Sequence, residues 1–424
     1  MRFFSFSLLI GGGALVGHLY IFTHLRRMLA RRWQRTLLAI LLVGMTGWFS
    51  LRRQLRLQLN EAHWELVQRF NYVWLGLLLC LTLAFAVLDL ARLAGWLRAR
   101  LGRTGEAALP AGTQAPAPAA GETAGPDHPT AFTTGAEEDA SPGTALQRRE
   151  LLTGAMGAGA AALGGVGLAG YGTWRAFHPP DVTEHALRIA KLPKTLDGLR
   201  VVQLTDIHVG PFIRRRYMDA LVDRTLRLKP DLIVITGDLV DGSVRHLGDA
   251  VAALGNLQAR FGTWFVTGNH EYYSGELQWV RYLDQLGIGV LRNRHVSVGD
   301  GGGSFDLIGV DDWSGGRRRG RQGYDLEQAL RGRDPDRASV LLAHQPANFE
   351  VAAERGIDAQ ISGHTHGGQL FPMTAFIGLE WKHSAGLYRH GDASLYVSRG
   401  CGFWGPPMRI GSPPEIAQLV LTSG

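Results

Sequence analysis

The stretch that decides the fold is Leu199-Arg-Val-Val-Gln-Leu-Thr-Asp-Ile-His208, an apolar run that ends in an aspartate and a histidine. Similar runs follow at Asp231–Thr236 and Thr263–Thr267, and amphipathic stretches such as Arg214–Leu228 separate them. Five later runs extend the pattern: Phe305–Val310, Ser339–Ala343, Ala359–Ser362, Leu395–Val397 and Ile416–Leu421. Short buried strands that alternate with helices are typical of a mostly parallel sheet covered by helices. The sequence therefore predicts an α/β domain over residues 181–424.

Polar residues follow five of these predicted strands, at the point where each strand ends. The five blocks are Asp206-Ile-His208, Gly237-Asp238-Leu-Val-Asp241, Gly268-Asn269-His270-Glu271, His344 and Gly363-His364-Thr365-His366. Each block alone is ordinary loop chemistry, because Asn, Asp and Gly suit turns and a lone histidine is usually a core residue. Loops at the carboxyl ends of strands converge in open α/β sheets. The ordered set of five therefore favours one shared site.

The residue types in these blocks indicate a metal site. Aspartate, asparagine and histidine offer oxygen and imidazole ligands without sulfur, which suits Mn, Fe or Zn better than copper or an iron–sulfur cluster. One carboxylate can bridge two divalent cations, and such a pair holds a bridging hydroxide and clamps a phosphate during in-line attack. A single metal ion would not need this many ligands. The pattern therefore predicts a two-metal phosphoester hydrolase.

The same motifs resemble the calcineurin-like metallophosphoesterase family, from about Leu199 to the end of the chain. The resemblance implies a four-layer α/β/β/α sandwich with two packed sheets. It also implies metal-binding roles: Asp206, His208 and His366 for the first metal ion, Asn269, His344 and His364 for the second, and Asp238 as the bridge.

Two further residues have roles outside the ligand set. The resemblance implies that His270 is not a ligand but faces the leaving group, where it donates a hydrogen bond or a proton. A non-coordinated imidazole beside two cations is poised near neutral pH, as a general acid should be. Asp241 has two open interpretations, as a residue that orients the ligands or as a plain turn cap.

The first 101 residues contain three apolar runs that we predict to be membrane spans. They lie at Phe3–Phe22, Thr36–Phe49 and Tyr72–Leu90, and the second is short. Runs of this length and purity are typical of transmembrane helices. Basic flanks stay in the cytoplasm, so the loop after the first run and the segment after the third should be inside. The loop at Leu51–Arg69 is then outside.

The next two segments join this region to the α/β domain. Residues 102–147 are rich in Ala, Gly, Pro and Thr, which predicts a disordered linker. Residues 148–178 begin with Arg148-Arg149 and continue as an Ala/Gly-rich apolar stretch, which resembles a twin-arginine signal anchor. A fourth membrane helix is the alternative. Both interpretations put the catalytic domain on the extracytoplasmic side.

Features late in the chain resemble a membrane-anchored bacterial subgroup of the family, in which a transmembrane or twin-arginine segment precedes the catalytic domain. These features are Gly367-Gly-Gln369 and Tyr396–Gly402, followed by Pro413-Pro-Glu415. The resemblance implies a membrane-anchored protein with membrane lipids as partners, and the apolar runs of this chain predict a multi-pass cell-membrane protein. The implied substrate is a phosphodiester or pyrophosphate that is lipid- or nucleotide-linked, such as a UDP-diacylglucosamine-type lipid. The extra spans before Arg148 are not part of that subgroup's pattern.

Composition excludes several classes of protein. The net charge is +7, but arginines crowd the first hundred residues beside apolar runs, so the excess indicates membrane topology rather than a nucleic-acid partner. Only two cysteines are present, which excludes a disulfide framework and argues against a thiolate metal site.

Two competing hypotheses come from the same sequence. In one, the N-terminal helices transport or sense a solute and the phosphoesterase domain is an accessory module. Transport pathways usually contain buried polar groups, and the predicted spans offer few beyond His18 and Asp89. In the other, the domain binds without catalysing, but the unbroken ligand set argues against it.

Three remaining features carry no assigned role. For the basic loop at Gly315–Arg321, we favour the interpretation as a solvated loop over a contact with a phosphate group. Two interpretations are open for the aromatic residues Trp313, Phe403 and Trp404: they line an apolar substrate slot, or they belong to the core or its rim.

Overall fold

The computed structural model describes residues 2–103, 142–315 and 322–423, and within them the side chains of residues 11–48, 58–101, 153–315 and 322–423. Most of the predicted linker and the basic loop at 316–321 lie outside the described residues, as do the side chains of Arg148 and Arg149. The contacts divide the chain into two compact units. One comprises Met1–Trp48 with Leu78–Val166, and the other comprises Phe49–Leu77 with Gly167–Gly424.

Long helices form the N-terminal part of the chain: α1 (Arg2–Leu25), α2 (Arg32–Gln58), α3 (Glu61–Arg103) and α4 (Pro142–Phe177). Among the described residues, one stretch, Glu61–Leu101 of α3, is long and apolar enough to cross a membrane by length and composition. Its most apolar window has a mean hydropathy of 2.3.

A small polar cluster lies inside the first unit. Asp89 accepts a hydrogen bond from the Tyr20 hydroxyl at 2.7 Å, and its carboxylate lies 3.0 Å from Nε2 of His24. The His24 ring stacks on Phe85 with 4.6 Å between centroids. Asp89 is therefore partnered within its unit, as a charged group in apolar surroundings should be.

The second unit contains two six-stranded sheets. The first sheet has the order β1-β12-β2-β3-β4-β5 and the second has the order β10-β11-β9-β8-β7-β6. The strands are β1 (Asp181–Arg188), β2 (Leu199–Leu204), β3 (Leu232–Ile235), β4 (Thr263–Phe265), β5 (Gly289–Val290), β6 (Arg294–Asp300), β7 (Gly303–Gly309), β8 (Ser339–Leu342), β9 (Ala359–Ser362), β10 (Gly386–His390), β11 (Ala393–Val397) and β12 (Glu415–Thr422). Strands β2 to β5 are parallel, and so are β7, β8, β9 and β11. The mixed α/β class predicted from the sequence is confirmed.

The alternation of side chains along the strands explains how the layers pack. In β3, Leu232 and Val234 belong to a core that also contains Val340 and Leu342 of β8 in the other sheet, whereas Ile235 joins the core on the opposite face. Successive side chains of a strand point to opposite faces, so a strand covered on both sides is apolar throughout. The two sheets therefore share one inner core.

The second unit also contains shorter helices, several of which pack on the outer faces of the two sheets. They are α5 (Arg215–Arg227), α6 (Val244–Val251), α7 (Asn269–Ser274), α8 (Glu276–Gln285), α9 (Leu326–Leu330), α10 (Phe349–Glu354) and α11 (Met373–Glu380). Met218 of α5 and Trp279 of α8 pack on the first sheet, and Ala352 of α10 packs on the second. Helix α11 has no buried residue.

The inner core gives a test of this packing. Leu342 is fully buried between the sheets, so Leu342→Ala should destabilise the domain by about 2–5 kcal/mol through lost contacts and a residual cavity. The measurement is the melting temperature of the full-length protein in detergent. Leu277→Ala on the exposed side of α8 serves as the control and should shift the melting temperature little. Equal shifts for the two variants would contradict the proposed core.

Candidate metal centre

The predicted ligands gather at the carboxyl ends of parallel strands. Asp206 and His208 follow β2, Asp238 follows β3, and Asn269 follows β4. In the second sheet, His344 follows β8, and His364 and His366 follow β9. Two sheets thus contribute to one cluster of side chains.

Unusual backbone conformations mark this cluster. Five ligands have φ angles between 49° and 75°, the left-handed region that residues with a Cβ seldom adopt: Asp206, His208, Asp238, His364 and His366. Backbones of this kind persist only where the surrounding structure holds them, and they concentrate at functional sites. The loops are therefore shaped to aim these side chains at one point.

Two glycines permit the loops to approach each other closely. A Cβ on Gly363 would lie 2.2 Å from Oδ2 of Asp206, and one on Gly268 would lie 2.2 Å from Oδ1 of Asp238. Any larger residue would displace a predicted ligand, which explains why glycine precedes the ligand in both blocks.

The first group of ligand atoms joins β2 to β9. Nε2 of His208 lies 3.1 Å from Nε2 of His366, and Nε2 of His366 lies 3.4 Å from Oδ1 of Asp206. All three residues are buried, and their ligand atoms lie within 4.8 Å of one another. Donor atoms at this separation suit a single cation between them.

The second group lies around Asp238. Oδ2 of Asp238 is 3.3 Å from Nε2 of His344, which in turn is 3.1 Å from Nδ1 of His364. The same Oδ2 lies 3.8 Å from Nε2 of His208 in the first group. Asp238 therefore lies between the two groups, where a bridging carboxylate is expected.

Two buried oxygen atoms without hydrogen-bond partners indicate that this set of side chains suits metal ions. Oδ1 of Asp206 and Oδ1 of Asn269 are both buried without a hydrogen-bond partner. Buried polar atoms normally have partners, so such exceptions need an explanation. Cations bound by oxygen and imidazole ligands would satisfy both atoms.

Electrostatics at Asp238 follow from its neighbours. Burial opposes ionisation of this carboxyl, but the imidazoles of His344, His270 and His208 hold its pKa well below the usual range. At Asp206, burial outweighs the nearby histidines and raises the pKa of the carboxyl. Positive charge beside Asp206 would favour the ionised form of its carboxyl.

His270 lies beside the cluster, with its two nitrogens in different surroundings. Its Nδ1 is 2.5 Å from Oδ1 of Asp241, and its Nε2 is 3.9 Å from Oδ2 of Asp238. Burial lowers the pKa of His270, but the carboxylates of Asp238 and Asp241 outweigh it and raise the pKa to about 9. Cations next to this imidazole would oppose that rise, because like charges disfavour the protonated form.

Asp241 contacts two imidazoles. Its Oδ1 lies 3.1 Å from Nδ1 of His208 as well as 2.5 Å from Nδ1 of His270. A carboxylate on the far nitrogen fixes the orientation and tautomer of a metal-binding histidine. Of the two interpretations left open by the sequence, these contacts favour the orienting one.

Two buried residues that support the site have no sequence-based assignment. The Glu271 carboxylate accepts backbone N–H groups from Gly268 at 2.6 Å, Leu239 at 2.8 Å and Asp238 at 3.0 Å, so it ties two ligand loops together. The buried Arg409 guanidinium donates to the carbonyl of His366 at 3.1 Å and lies 2.9 Å from its Nδ1. Glu271 was visible beside His270 in its block, whereas nothing in the local sequence marks Arg409.

The aromatic residues with open roles differ in their contacts. Trp313 stacks on Tyr324 with 4.2 Å between ring centroids, and Phe403 packs in the core of the first sheet. The ring of Trp404 lies 5.9 Å from that of His270. Of the three, Trp404 is the one placed beside the site.

Comparison with known proteins supports the same assignment. The family model for calcineurin-like phosphoesterases matches residues 199–368. The chain is 40% identical over 262 residues to a transmembrane protein with metallophosphoesterase domain from Danio rerio, covering 60% of each chain. It is 34% identical over 246 residues to an uncharacterized metallophosphoesterase of Aquifex aeolicus, covering 57% of this chain and 91% of that one. A third, from Bacillus subtilis, is 30% identical over 290 residues, covering 66% of this chain and 98% of that protein.

The chain belongs to the calcineurin-like metallophosphoesterases. It therefore carries a metallophosphoesterase domain, and its cofactors are two divalent metal ions, as the sequence predicted. The match spans about 60% of the length of the vertebrate relatives, so it describes their phosphoesterase portion.

The bridging position of Asp238 gives the sharpest test of the centre. Asp238→Asn should lower the metal content below two ions per chain and reduce hydrolysis at least about a thousandfold, because one neutral amide cannot replace a bridging carboxylate. Metal content is measured by elemental analysis of the manganese-loaded protein. Asp219→Asn, which neutralises an exposed carboxylate paired with Arg215, is the control and should keep both metal ions. Two ions per chain with undiminished hydrolysis in Asp238→Asn would overturn the bridging role.

Proposed function

We propose that this protein is a membrane-anchored two-metal phosphoesterase that hydrolyses a phosphodiester or pyrophosphate of a lipid- or nucleotide-linked substrate, such as a UDP-diacylglucosamine-type lipid. The observation that carries the proposal is the convergence of two ligand groups on one buried carboxylate, Asp238, with His270 beside it. The ligand types suit Mn, Fe and Zn, since all three accept oxygen and imidazole donors.

The proposed roles divide the side chains into three sets. Asp206, His208 and His366 hold one cation, Asn269, His344 and His364 hold the other, and Asp238 bridges them. When bound, such a pair of cations stabilises the charge of the phosphoryl oxygens and favours deprotonation of water. Asp241 orients His208 through its Nδ1.

His270 acts on the leaving group in this proposal. The Asp241 carboxylate engages its Nδ1, which leaves Nε2 directed away from that partner. A protonated imidazole donates from both nitrogens, so it can keep the Asp241 contact while it donates a hydrogen bond or a proton to the departing oxygen.

The membrane part of the proposal rests on three supports. Two vertebrate relatives are called transmembrane proteins. The apolar part of α3 has the length and composition of a span. The basic flanks in the sequence favour a catalytic domain on the extracytoplasmic side, with residues 148–178 as a signal anchor or fourth helix and the N-terminal region as further spans.

Helix α11 supports a substrate that lies at a membrane surface. Its Phe376 and Leu379 side chains are 55% and 86% exposed. Trp381, directly after the helix, packs edge-on against the predicted ligand His364 with 4.9 Å between ring centroids. An exposed apolar helix beside a catalytic site is typical of a surface that engages lipid.

His270 provides the first functional test. With manganese-loaded full-length protein in detergent, bis(4-nitrophenyl) phosphate should be hydrolysed, and His270→Ala should lower kcat by about 10²–10⁴ because a proton donor is lost. Metal analysis of the variant should still give two ions per chain. Comparison with 4-nitrophenyl phosphate separates diesterase from monoesterase activity. If the wild type binds two ions but cleaves neither ester, the accessory-module hypothesis replaces the enzyme proposal.

The role of α11 is tested with esters that differ in lipid attachment. The double variant Phe376→Ser/Leu379→Ser should slow hydrolysis of hexadecyl 4-nitrophenyl phosphate in vesicles about fivefold or more, because apolar contact with the bilayer is lost. Hydrolysis of soluble bis(4-nitrophenyl) phosphate should stay the same. Leu277→Ser, at another exposed apolar position, is the control and should affect neither ester. An equal loss of hydrolysis rate on both esters would show that the α11 side chains stabilise the fold rather than contact the membrane.

A further inference from the structure

A cavity of about 390 Å³ opens beside the metal centre. Its lining includes His270 and Asp241 and the aromatic side chains of Trp404 and Tyr273. The Tyr273 ring lies 5.2 Å from the His270 ring. The volume is that of a small-molecule site, and the cavity adjoins the residue proposed to face the leaving group.

Another part of the cavity lining comes from outside the phosphoesterase match. Residues 61–72 of α3, here called the wall segment, line it through Glu61, Trp64, Glu65, Gln68 and Tyr72. Positions spaced by three and four residues share one face of a helix, so a single helical face points into the cavity. The wall segment belongs to the same compact unit as the phosphoesterase fold.

Specific contacts hold the wall segment in place. The Glu65 carboxylate, 14% exposed, pairs with Arg214 at the start of α5 and lies 3.1 Å from Nε2 of His246. Glu61 lies 3.3 Å from Nδ1 of the same imidazole. A cluster that joins two carboxylates to an arginine and a histidine fixes the position of this wall better than exposed single pairs would.

The charges in the cavity indicate what it can accept. Three carboxylates line it, Glu61, Glu65 and Asp241, together with three basic side chains, Arg214, His246 and His270. Each basic side chain already contacts one of these carboxylates: Arg214 and His246 contact Glu65, and His270 contacts Asp241. A second anionic group would meet like charge there. Carboxylates and the Gln68 amide accept and donate hydrogen bonds to hydroxyl groups, and the aromatic rings offer apolar faces.

We propose that the wall segment is part of the substrate site and that the cavity receives a neutral, hydroxyl-bearing alcohol as the leaving group of the phosphoester. This inference rests on the proposed function and narrows it, because it disfavours pyrophosphates and other substrates whose leaving group is anionic. It also gives α3 a role in specificity in addition to any role as a span.

Two ligands of matched size test the chemistry of the cavity. Glycerol 3-phosphate and 3-phosphoglycerate differ by a hydroxymethyl group in place of a carboxylate. Binding to manganese-loaded full-length protein is obtained from the rise of melting temperature with ligand concentration, which needs no hydrolysis. Glycerol 3-phosphate should bind about tenfold more tightly, and Glu61→Gln should narrow the difference because it removes one repelling charge. Asp219→Asn should leave the difference unchanged. Equal affinities, or tighter binding of 3-phosphoglycerate, would overturn the assignment.

Thiol labelling tests the position of the wall segment. Both native cysteines are buried, so cysteines introduced at Gln68 and Leu66 are the accessible thiols of their variants among the described residues. Leu66 is 62% exposed on the same helix and does not line the cavity. Fluorescein maleimide on Gln68→Cys should abolish stabilisation by glycerol 3-phosphate, whereas the same label on Leu66→Cys should not. Unchanged stabilisation in labelled Gln68→Cys would contradict the inference.

The two proposals fail in different ways. A protein that binds glycerol 3-phosphate in the cavity but hydrolyses no ester would contradict the proposed function and retain the binding site. A protein that hydrolyses the diesters while both labelled variants behave alike would retain the function and exclude the wall segment from the site.

Discussion

The site depends on keeping a buried carboxylate ionised. Asp238 lies almost without solvent among three imidazoles, and an isolated charge in that position would be very costly. Its position is fixed by backbone contacts as well: its Oδ1 accepts the His270 N–H at 2.9 Å, and its own N–H donates to Glu271 at 3.0 Å. The left-handed backbone of the ligands, the close glycines and the buried Glu271 hold the ligand loops around this carboxylate. The imidazoles of His344, His270 and His208 favour its ionised form, and divalent cations would add to that positive charge.

The sequence was informative where function and local structure coincide. The strands β2, β3, β4, β8 and β9 are apolar runs, and each ends in a residue type that has a specific ligand chemistry. Because parallel strands bring their carboxyl ends to one edge, the order of the blocks was enough to predict that the side chains meet. The mixed α/β class followed from the same alternation. The assignment of each ligand to one metal ion or the other came from resemblance to the family. That assignment stays a prediction.

Other features depend on contacts that no local pattern encodes. Arg409 reaches His366 across 43 residues, and Glu65 meets Arg214 across 149 residues. The short strands β5 and β10 and the first strand β1 also lacked a clear apolar signal, because β1 and β10 are largely exposed. Nothing in the local sequence indicated that residues 49–77 belong to the same compact unit as the phosphoesterase fold. Most of these residues resembled a polar connection between predicted spans. Among the contacts of this segment are the charge pairs of Glu61 and Glu65 with His246 and Arg214.

The wall segment and the apolar run that follows it belong to one helix, α3. Tyr72 lines the cavity and also begins the apolar run of α3 that extends to Leu90. The contacts of Glu61 and Glu65 hold the part of α3 that belongs to the phosphoesterase unit. If the wall segment lines the substrate site as proposed, the α/β domain by itself holds the metal ligands but only part of the pocket that selects the leaving group.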